Sequence, residues 1–132
     1  MTGIGLHNII QSKKLLYWSV MMSAMINEIV KAFDDHFSYE LNIVKEHNGQ
    51  NKIATSLRDI LKDSKLIRSR TDFLYNPDHL NKEVFEDKVQ EYYSLRCVTQ
   101  ILGPVSDTIN YAEKVLIGEI NSVNDNPIID HK

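Results

Sequence analysis

Three polar side chains, Gln90, Tyr93 and Arg96, have types and a spacing that suit the binding of a small carboxylate. Residues 93 and 96 are one helical turn apart, so they should project from one helix face, and Gln90 joins that face if the helix starts early. Arginine offers a planar fork that matches a carboxylate, tyrosine a hydroxyl and glutamine an amide. Spacing alone favours a solvated, salt-bridged helix start over a binding site, and both interpretations stay open.

A second polar cluster lies near the C-terminus and precedes Pro127. It consists of Glu119, Asn121, Asn124, Asp125 and Asn126. Asn and Asp before proline usually hydrogen bond to their own backbone, which favours a structural turn over a metal site.

The five histidines are far apart, and Cys97 is the single cysteine. We therefore predict no metal site and no internal disulfide, and we interpret Cys97 as a small buried residue rather than a nucleophile.

The elements that position these residues are predicted to be helices, because Gly and Pro are scarce and no segment alternates with period two. One long helix is predicted from about Ile4 to Phe33. Its middle, Leu15 to Met22, is apolar on all sides, which is typical of a helix inside a larger assembly. A shorter amphipathic helix is predicted to open at residue 50 or 51. Its buried face would carry Ile53, Leu57, Ile60 and Leu61.

The last predicted helix runs from about Tyr92 to Ile120. Apolar residues recur there at steps of three and four, namely Leu95, Val98, Leu102, Val105, Ile109, Ala112 and Leu116. Pro104 should kink this helix without ending it, because the apolar period resumes in phase. Residues 63–88 are predicted as a loop, with a turn at 76–78 and a helical turn near 82–86. The fold class is thus all-α, a long-helix bundle in which residues 1–132 form one helical segment.

Composition excludes several classes of function. The net charge of −3 gives no electrostatic case for binding nucleic acid or an anionic membrane. The apolar stretch from Leu15 to Val30 is shorter than the roughly twenty residues that cross a bilayer. The N-terminus has neither the basic region nor the cleavage site of a secretory signal. A cytoplasmic protein is the plain interpretation.

The residues of the two polar clusters form part of two sequence motifs that resemble those of a known family. Residues 90–97, Gln-Glu-Tyr-Tyr-Ser-Leu-Arg-Cys, with Gln-Ile-Leu-Gly at 100–103, resemble the Gln-Asp-x-Tyr-Ser-Leu-Arg-Cys…Gln-(Val/Ile)-Leu-Gly motif of histidine ammonia-lyases. Residues 119–127, Glu-Ile-Asn-Ser-Val-Asn-Asp-Asn-Pro, resemble a motif shared with phenylalanine ammonia-lyases. His-Asn-Gly-Gln at 47–50 resembles the family's His-x-Gly-Gln. The chain is thereby similar to part of an aromatic amino acid ammonia-lyase, and its helices to part of that family's central helical domain.

The resemblance implies a parent that eliminates ammonia from an aromatic amino acid, with L-histidine to urocanate as the expected reaction. Such enzymes are homotetramers that use a 4-methylideneimidazole-5-one group (MIO), formed from an internal Ala-Ser-Gly. That tripeptide does not occur in this chain. The chain alone is therefore expected to be inactive. Alternatives are a phenylalanine or tyrosine ammonia-lyase, a tyrosine 2,3-aminomutase, or a non-catalytic helical interaction module.

Carried over from the family, Arg96 would bind the substrate carboxylate, Tyr93 would act beside the electrophile, and Gln90 would line the same pocket. Glu91 stands where the family usually has Asp, and Thr99 where Pro is common. Gly103-Pro104 is closer to phenylalanine ammonia-lyases, whereas Ser94 and Cys97 favour the histidine enzyme or a bacterial tyrosine aminomutase.

Overall fold

The computed structural model describes residues 1–80 and 89–123, and this part of the chain is mainly helical. The predicted all-α class is confirmed. One isolated parallel bridge joins Phe33 to Arg68. The described helices, in chain order, are α1 (Thr2–Ile29), a 3₁₀ helix (Asp35–Phe37), α2 (Tyr39–Ile43), α3 (Asn48–Leu61), α4 (Arg70–Leu74), α5 (Pro77–Leu80), α6 (Tyr93–Arg96) and α7 (Val98–Ile120).

The core lies where α1, α3 and α7 pack against one another. Helix α3 turns one apolar stripe inward, and Ile53, Leu57 and Leu61 on this stripe are buried. Val20 of α1 and Val98 of α7 close the same cluster. Each leucine fully removed from water in this way contributes about 1.5–3 kcal/mol. The i, i+4 spacing of the stripe is therefore what fixes the face that α3 presents to its neighbours.

For two residues of the predicted apolar faces the prediction of burial is wrong. Ile60 and Val105 are 41% and 43% exposed, whereas Ile109 is buried as expected. Gly103 and Ser106 are buried on α7 instead. The buried face of α7 is set by a close crossing with α3, which selects small residues over branched ones at that point.

This crossing is built on two glycines, Gly49 at the start of α3 and Gly103 in α7. A Cβ atom on Gly103 would lie 2.6 Å from the backbone nitrogen of Gln50, and one on Gly49 would lie 2.6 Å from Asp107 Oδ2. The Gly49 N–H donates to that carboxylate oxygen at 3.1 Å. An acidic side chain at a helix N-terminus satisfies a backbone donor that the helix itself leaves unpaired.

Helix α1 ends four residues before the predicted end at Phe33, in a Schellman motif. The N–H of Lys31 donates to the carbonyl of Glu28 at 3.0 Å, and the N–H of Ala32 to that of Asn27 at 2.9 Å. These are the two bonds that define the motif. Lys31 has a φ of 51°, in the left-handed region that usually selects glycine. The chain reverses direction here, and Phe33 is buried in the core. The apolar pattern of the sequence therefore extends beyond the end of the helix, which is why the helix was predicted too long.

The predicted C-terminal helix is two helices. Cys97, with φ −102° and ψ 10°, leaves helical geometry and separates α6 from α7. Helix α7 then runs without interruption through Pro104, which confirms that this proline does not end it. Thr108 Oγ donates to the Pro104 carbonyl at 2.8 Å.

The remaining connections also differ from expectation. Helix α3 begins at Asn48, two residues before the earliest predicted start. The predicted loop contains the short helices α4 and α5, and Asn76 Oδ1 accepts the Asp78 N–H at 3.0 Å at the start of α5. The helical turn predicted near residues 82–86 and the turn at 124–127 lie outside the described residues. Within the described ranges, no helix combines the length and apolar character needed to cross a bilayer.

Candidate active-site segment

Tyr93 and Arg96 stand at the two ends of α6, a single helical turn. The backbone N–H groups of Leu95 and Arg96 both donate to the carbonyl of Tyr92, at 2.9 and 3.0 Å, and the N–H of Cys97 donates to Tyr93 at 3.0 Å. Four residues of helix are enough to place positions 93 and 96 on the same side. The sequence prediction that these two residues share a face is confirmed.

The two side chains contact each other. The guanidinium carbon of Arg96 lies over the Tyr93 ring, 5.0 Å from its centroid, a cation–π contact. Tyr93 is 68% exposed, and Arg96 is half-buried. Across residues 1–80 and 89–123, the ion pairs involve other residues, and Arg96 has no carboxylate partner. This argues against the salt-bridged alternative and leaves a guanidinium that can pair with a carboxylate from outside the described chain.

Gln90 is not on the helix. It is exposed and lies in a bend three residues before α6 begins at Tyr93. The condition under which it would join the face of Tyr93 and Arg96, an early helix start, is therefore not met. Its position relative to those two side chains depends on the course of the backbone from residue 90 to residue 92.

Glu91, the residue within this segment to which the sequence assigned no role, is buried. Its Oε1 atom accepts the backbone N–H of Phe33 at 3.2 Å and lies 3.9 Å from a guanidinium nitrogen of Arg68. Glutamate is almost never buried without partners, so this side chain ties the segment to the turn after α1. An acidic residue inside a polar motif carries no local sign of burial, because its partners lie far away in sequence.

A chain of buried polar side chains joins four elements and was also not predicted. His36 Nε2 donates to Asn27 Oδ1 at 3.0 Å, and Gln50 Nε2 donates to Asn42 Oδ1 at 2.9 Å. Asn42 Nδ2 in turn donates to the carbonyl groups of Ser38 at 2.8 Å and of His36 at 3.4 Å, and the second of these bonds connects the two pairs. All four relay side chains are less than about one-twentieth exposed. This polar relay links α1, the 3₁₀ helix, α2 and α3.

Burial lowers the pKa of His36 below its usual value of 6.5. The carboxylates of Asp35, Glu91 and Asp34 act in the opposite direction, and Arg70 adds to the lowering, but loss of hydration is the largest effect. The ring nitrogen Nδ1 is buried without a hydrogen-bond partner, 3.9 Å from Asp35 Oδ1. His36 is therefore a neutral, structural histidine near neutral pH.

The remaining candidates are Cys97 and the polar cluster near the C-terminus. Cys97 is half-buried rather than buried, so the interpretation as a core residue is only partly met. Asn121, at the end of α7, donates to the carbonyl of Ile117 at 2.7 Å and caps that helix. Residues 124–126 lie outside the described part of the chain. Among the described residues, no cluster of His, Cys, Asp and Glu side chains has the arrangement of a metal site.

The chain matches one family of known proteins. A family model described as aromatic amino acid lyase matches residues 1–132. A tyrosine 2,3-aminomutase from Myxococcus sp. (strain Mx-B0) is 37% identical over 98% of this chain and 26% of that protein. A histidine ammonia-lyase from Caldanaerobacter subterraneus subsp. tengcongensis is 30% identical over 98% of this chain and 23% of that protein.

The solved structures give the same result for the fold. The crystal structure of tyrosine aminomutase from Streptomyces globisporus superposes with a TM-score of 0.89 and 30% identity, covering 99% of this chain and 26% of that one. The chain therefore belongs to the aromatic amino acid lyase family. It spans about a quarter of the length of the relatives that it matches.

Proposed function

We propose that this chain is the part of an aromatic amino acid ammonia-lyase that receives the substrate carboxylate. The observation that supports this is the Tyr93–Arg96 pair, in which Tyr93 is exposed, Arg96 is half-buried and the guanidinium has no carboxylate partner in the described chain. Arg96 would bind the carboxylate through two parallel, charge-assisted hydrogen bonds. Tyr93 would orient the amine, and Gln90 would line the same pocket.

The proposed reaction is the elimination of ammonia across the α and β carbons. A base removes the β-proton, the electrons of that C–H bond become the C–C double bond, and the amine leaves with the electrons of the C–N bond. A carboxylate held by Arg96 keeps the β-proton directed at the base, and such orientation contributes several kcal/mol. MIO, whose Ala-Ser-Gly precursor does not occur in this chain, would supply the electrophile, and Tyr93 would lie beside it.

The proposed substrate is L-histidine, with urocanate as the product. Ser94 and Cys97 beside the site residues match the histidine enzyme's motif and support it over a phenylalanine ammonia-lyase, but they fit a bacterial tyrosine aminomutase equally well. The second candidate is a tyrosine 2,3-aminomutase, which would return the ammonia to the β carbon. The 37% identity to the Myxococcus enzyme favours it. Both candidates require the same carboxylate contact at Arg96.

The proposed parent is a cytoplasmic homotetramer, with residues 1–132 as one helical segment of its core. Support comes from α1, where Leu15 and Ile29 are 67% and 73% exposed. A helix apolar on most sides is stable inside an assembly that covers it. Because the Ala-Ser-Gly precursor of MIO does not occur in this chain, the chain by itself is expected to be inactive.

The test is the ultraviolet absorbance of the full-length protein supplied with histidine, phenylalanine or tyrosine, with residues 1–132 as a matched control. A conjugated-acid band that rises with histidine and not with the control supports the proposal. A band with phenylalanine or tyrosine would correct the substrate. β-Tyrosine formed without a persistent band would favour the aminomutase, and no product from any substrate would refute the enzyme and leave a helical interaction module.

A further inference from the structure

The segment that carries the proposed substrate-binding residues has an inverted pattern of burial. Tyr92 and Tyr93 are 67% and 68% exposed, whereas the carboxylate-bearing Glu91 between Gln90 and Tyr92 is 5% exposed. Partitioning by polarity would place the aromatic rings inside and the carboxylate outside. Specific partners must therefore offset the cost of burying the Glu91 carboxylate.

Those partners belong to a packed junction centred on Phe33, a residue with no solvent exposure. The Phe33 ring lies between two guanidinium groups, with the Arg68 and Arg70 carbons 3.9 and 3.6 Å from its centroid. Arg70 also pairs with Asp35 at 3.3 Å. The Arg70 side chain is 14% exposed against 32% for Arg68, and the better shielded cation–π contact is the stronger one. The ring is thus fixed on both faces.

The backbone at the junction is fixed as well. The N–H of Arg68 donates to the carbonyl of Ala32 at 2.9 Å, and the N–H of Asp34 donates to the carbonyl of Arg68 at 3.0 Å. The Phe33 N–H between them remains for Glu91 Oε1, at 3.2 Å. Glu91 Oε1 therefore accepts from a backbone donor beside a guanidinium group, and the negative charge of the acceptor strengthens such a hydrogen bond.

We propose that Glu91 is a positioning residue for the carboxylate-binding pair. Its buried side chain fixes residues 90–92 on the Phe33 junction and so sets where α6 begins and where Arg96 points. This inference rests on the proposed function, because it assigns to Glu91 the placement of the residues that would bind substrate. Glu91 itself does not touch the substrate.

The described contacts distinguish two variants. Glu91→Ala removes every contact to the junction. Glu91→Gln keeps the shape and an oxygen that can accept from Phe33, and its amide replaces Oε2, which has no hydrogen-bond partner among the described residues. If the hydrogen bond to Phe33 is the part that positions the segment, Gln should recover most of what Ala loses.

Asp107 provides a matched control. Its carboxylate also accepts a backbone N–H from another element, that of Gly49 at 3.1 Å, but it lies in α7 and is exposed. Asp107→Ala therefore removes a comparable contact without touching the 90–92 segment. A general effect of lost stability appears in both alanine variants, whereas a positioning effect appears only in Glu91→Ala.

The experiment uses the full-length protein and two readouts. The first is hydrogen exchange at the amides of Leu95, Arg96 and Cys97, whose bonds define α6. We expect exchange to accelerate by about tenfold or more in Glu91→Ala, and to stay near wild type in Glu91→Gln and Asp107→Ala. The second is the split between KM and kcat. We expect KM to rise about tenfold in Glu91→Ala and to recover largely in Glu91→Gln.

Equal exchange at α6 in Glu91→Ala and Asp107→Ala would overturn the positioning role, whatever the kinetics. A wild-type protein that turns over none of the three amino acids refutes the proposed function, and the exchange readout then decides the role of Glu91 alone. If Glu91→Ala does not fold, Glu91→Gln carries the test. In that case we expect hydrogen exchange at α6 and KM in Glu91→Gln to be unchanged from wild type. If the α6 amides in Glu91→Gln lose as much protection as in an unfolded segment, the positioning role of the Phe33 hydrogen bond is overturned.

Discussion

Arg96 and Tyr93 restrict one another before any substrate arrives, because the guanidinium lies over the ring at 5.0 Å from its centroid. Side-chain order that exists in the free protein does not have to be created on binding, which lowers the entropic cost of the complex. Lysine carries the same charge but is a point donor without the planar fork. The geometry of the pair, and not its charge alone, should therefore determine substrate affinity.

We expect Arg96→Lys to raise the KM for the amino acid substrate by about 10- to 100-fold, as a charge-assisted hydrogen-bond pair is lost. Arg58→Lys is the matched control, because Arg58 donates to the Phe37 carbonyl at 2.8 Å and supports the fold elsewhere. Steady-state kinetics of the full-length variants measure the difference. A KM for Arg96→Lys equal to that of Arg58→Lys would remove Arg96 from the site.

His36 predicts a dependence of stability on pH. Because burial lowers its pKa in the folded chain below 6.5, the unfolded state binds more protons as the pH falls through that value. Stability should be fully present above this value and should decrease below it, until the pH reaches the lowered pKa of the folded state. Thermal unfolding measured from about pH 8 to about pH 5 follows this change.

His36→Gln should flatten that profile, because the glutamine amide can still donate to Asn27 Oδ1 but does not titrate. His7→Gln, an exposed position on α1, serves as the control and should keep the slope of the wild type. Identical slopes in both variants would mean that groups other than His36 determine the pH dependence.

At the scale of the elements, the crossing of α3 over α7 depends on backbone contact between two motifs that are distant in sequence. Gly49 belongs to the His-Asn-Gly-Gln motif and Gly103 to the Gln-Ile-Leu-Gly motif. Neither glycine has room for a Cβ atom, because backbone atoms of the other helix lie where that atom would be. The two motifs are thus one structural feature, which brings the start of α3 and the helix following Arg96 into a single rigid unit.

We expect Gly103→Ala to lower the free energy of unfolding by about 1–3 kcal/mol, because the added methyl would stand 2.6 Å from the Gln50 nitrogen and 2.7 Å from its Cα. Backbone atoms cannot rotate away as a flexible side chain can. Gly118→Ala in the same helix is the control. A Cβ there meets open space, so the higher helix propensity of alanine should stabilise by about 0.5–1 kcal/mol. Urea unfolding measures the free energy of unfolding of both variants. Equal changes in Gly103→Ala and Gly118→Ala would contradict the close approach of the two helices at Gly103.

At the scale of the whole molecule, the long helix α1 is covered on one side only. Trp18 and Met22 are 61% and 52% exposed, and Leu15 and Ile29 exceed both. Soluble monomers rarely leave a contiguous apolar surface of this kind open to water. Ala24 and Val20 on the same helix are buried, so the exposed side chains are not needed to hold the core.

We expect residues 1–132 alone to self-associate, and Met22→Lys to weaken that association by placing a charge in the apolar surface. Gln11→Lys adds the same charge at an exposed polar position of the same helix and should have little effect. Light scattering over a concentration series measures the mass. A wild-type chain that stays monomeric throughout would contradict the prediction.

The sequence by itself determined the all-α class, the presence of long helices and the family. Helical periodicity is a local property, so the stripe of Ile53, Leu57 and Leu61 and the continuation of α7 through Pro104 could be predicted from spacing. The pairing of Tyr93 with Arg96 follows from the same rule, because one helical turn separates them. The family resemblance depends on the order of residue types along the chain, which needs no coordinates.

Only the tertiary structure decided which polar groups are buried and which helix faces are covered. Glu91 meets Phe33 across 58 positions, and Gly49 meets Asp107 across 58 as well. The cost of burying a carboxylate or an imidazole depends on the donors and acceptors that reach it, and those come from elements far apart in sequence. The break at Cys97 and the left-handed residue Lys31 also interrupt helices that the apolar pattern of the sequence would continue.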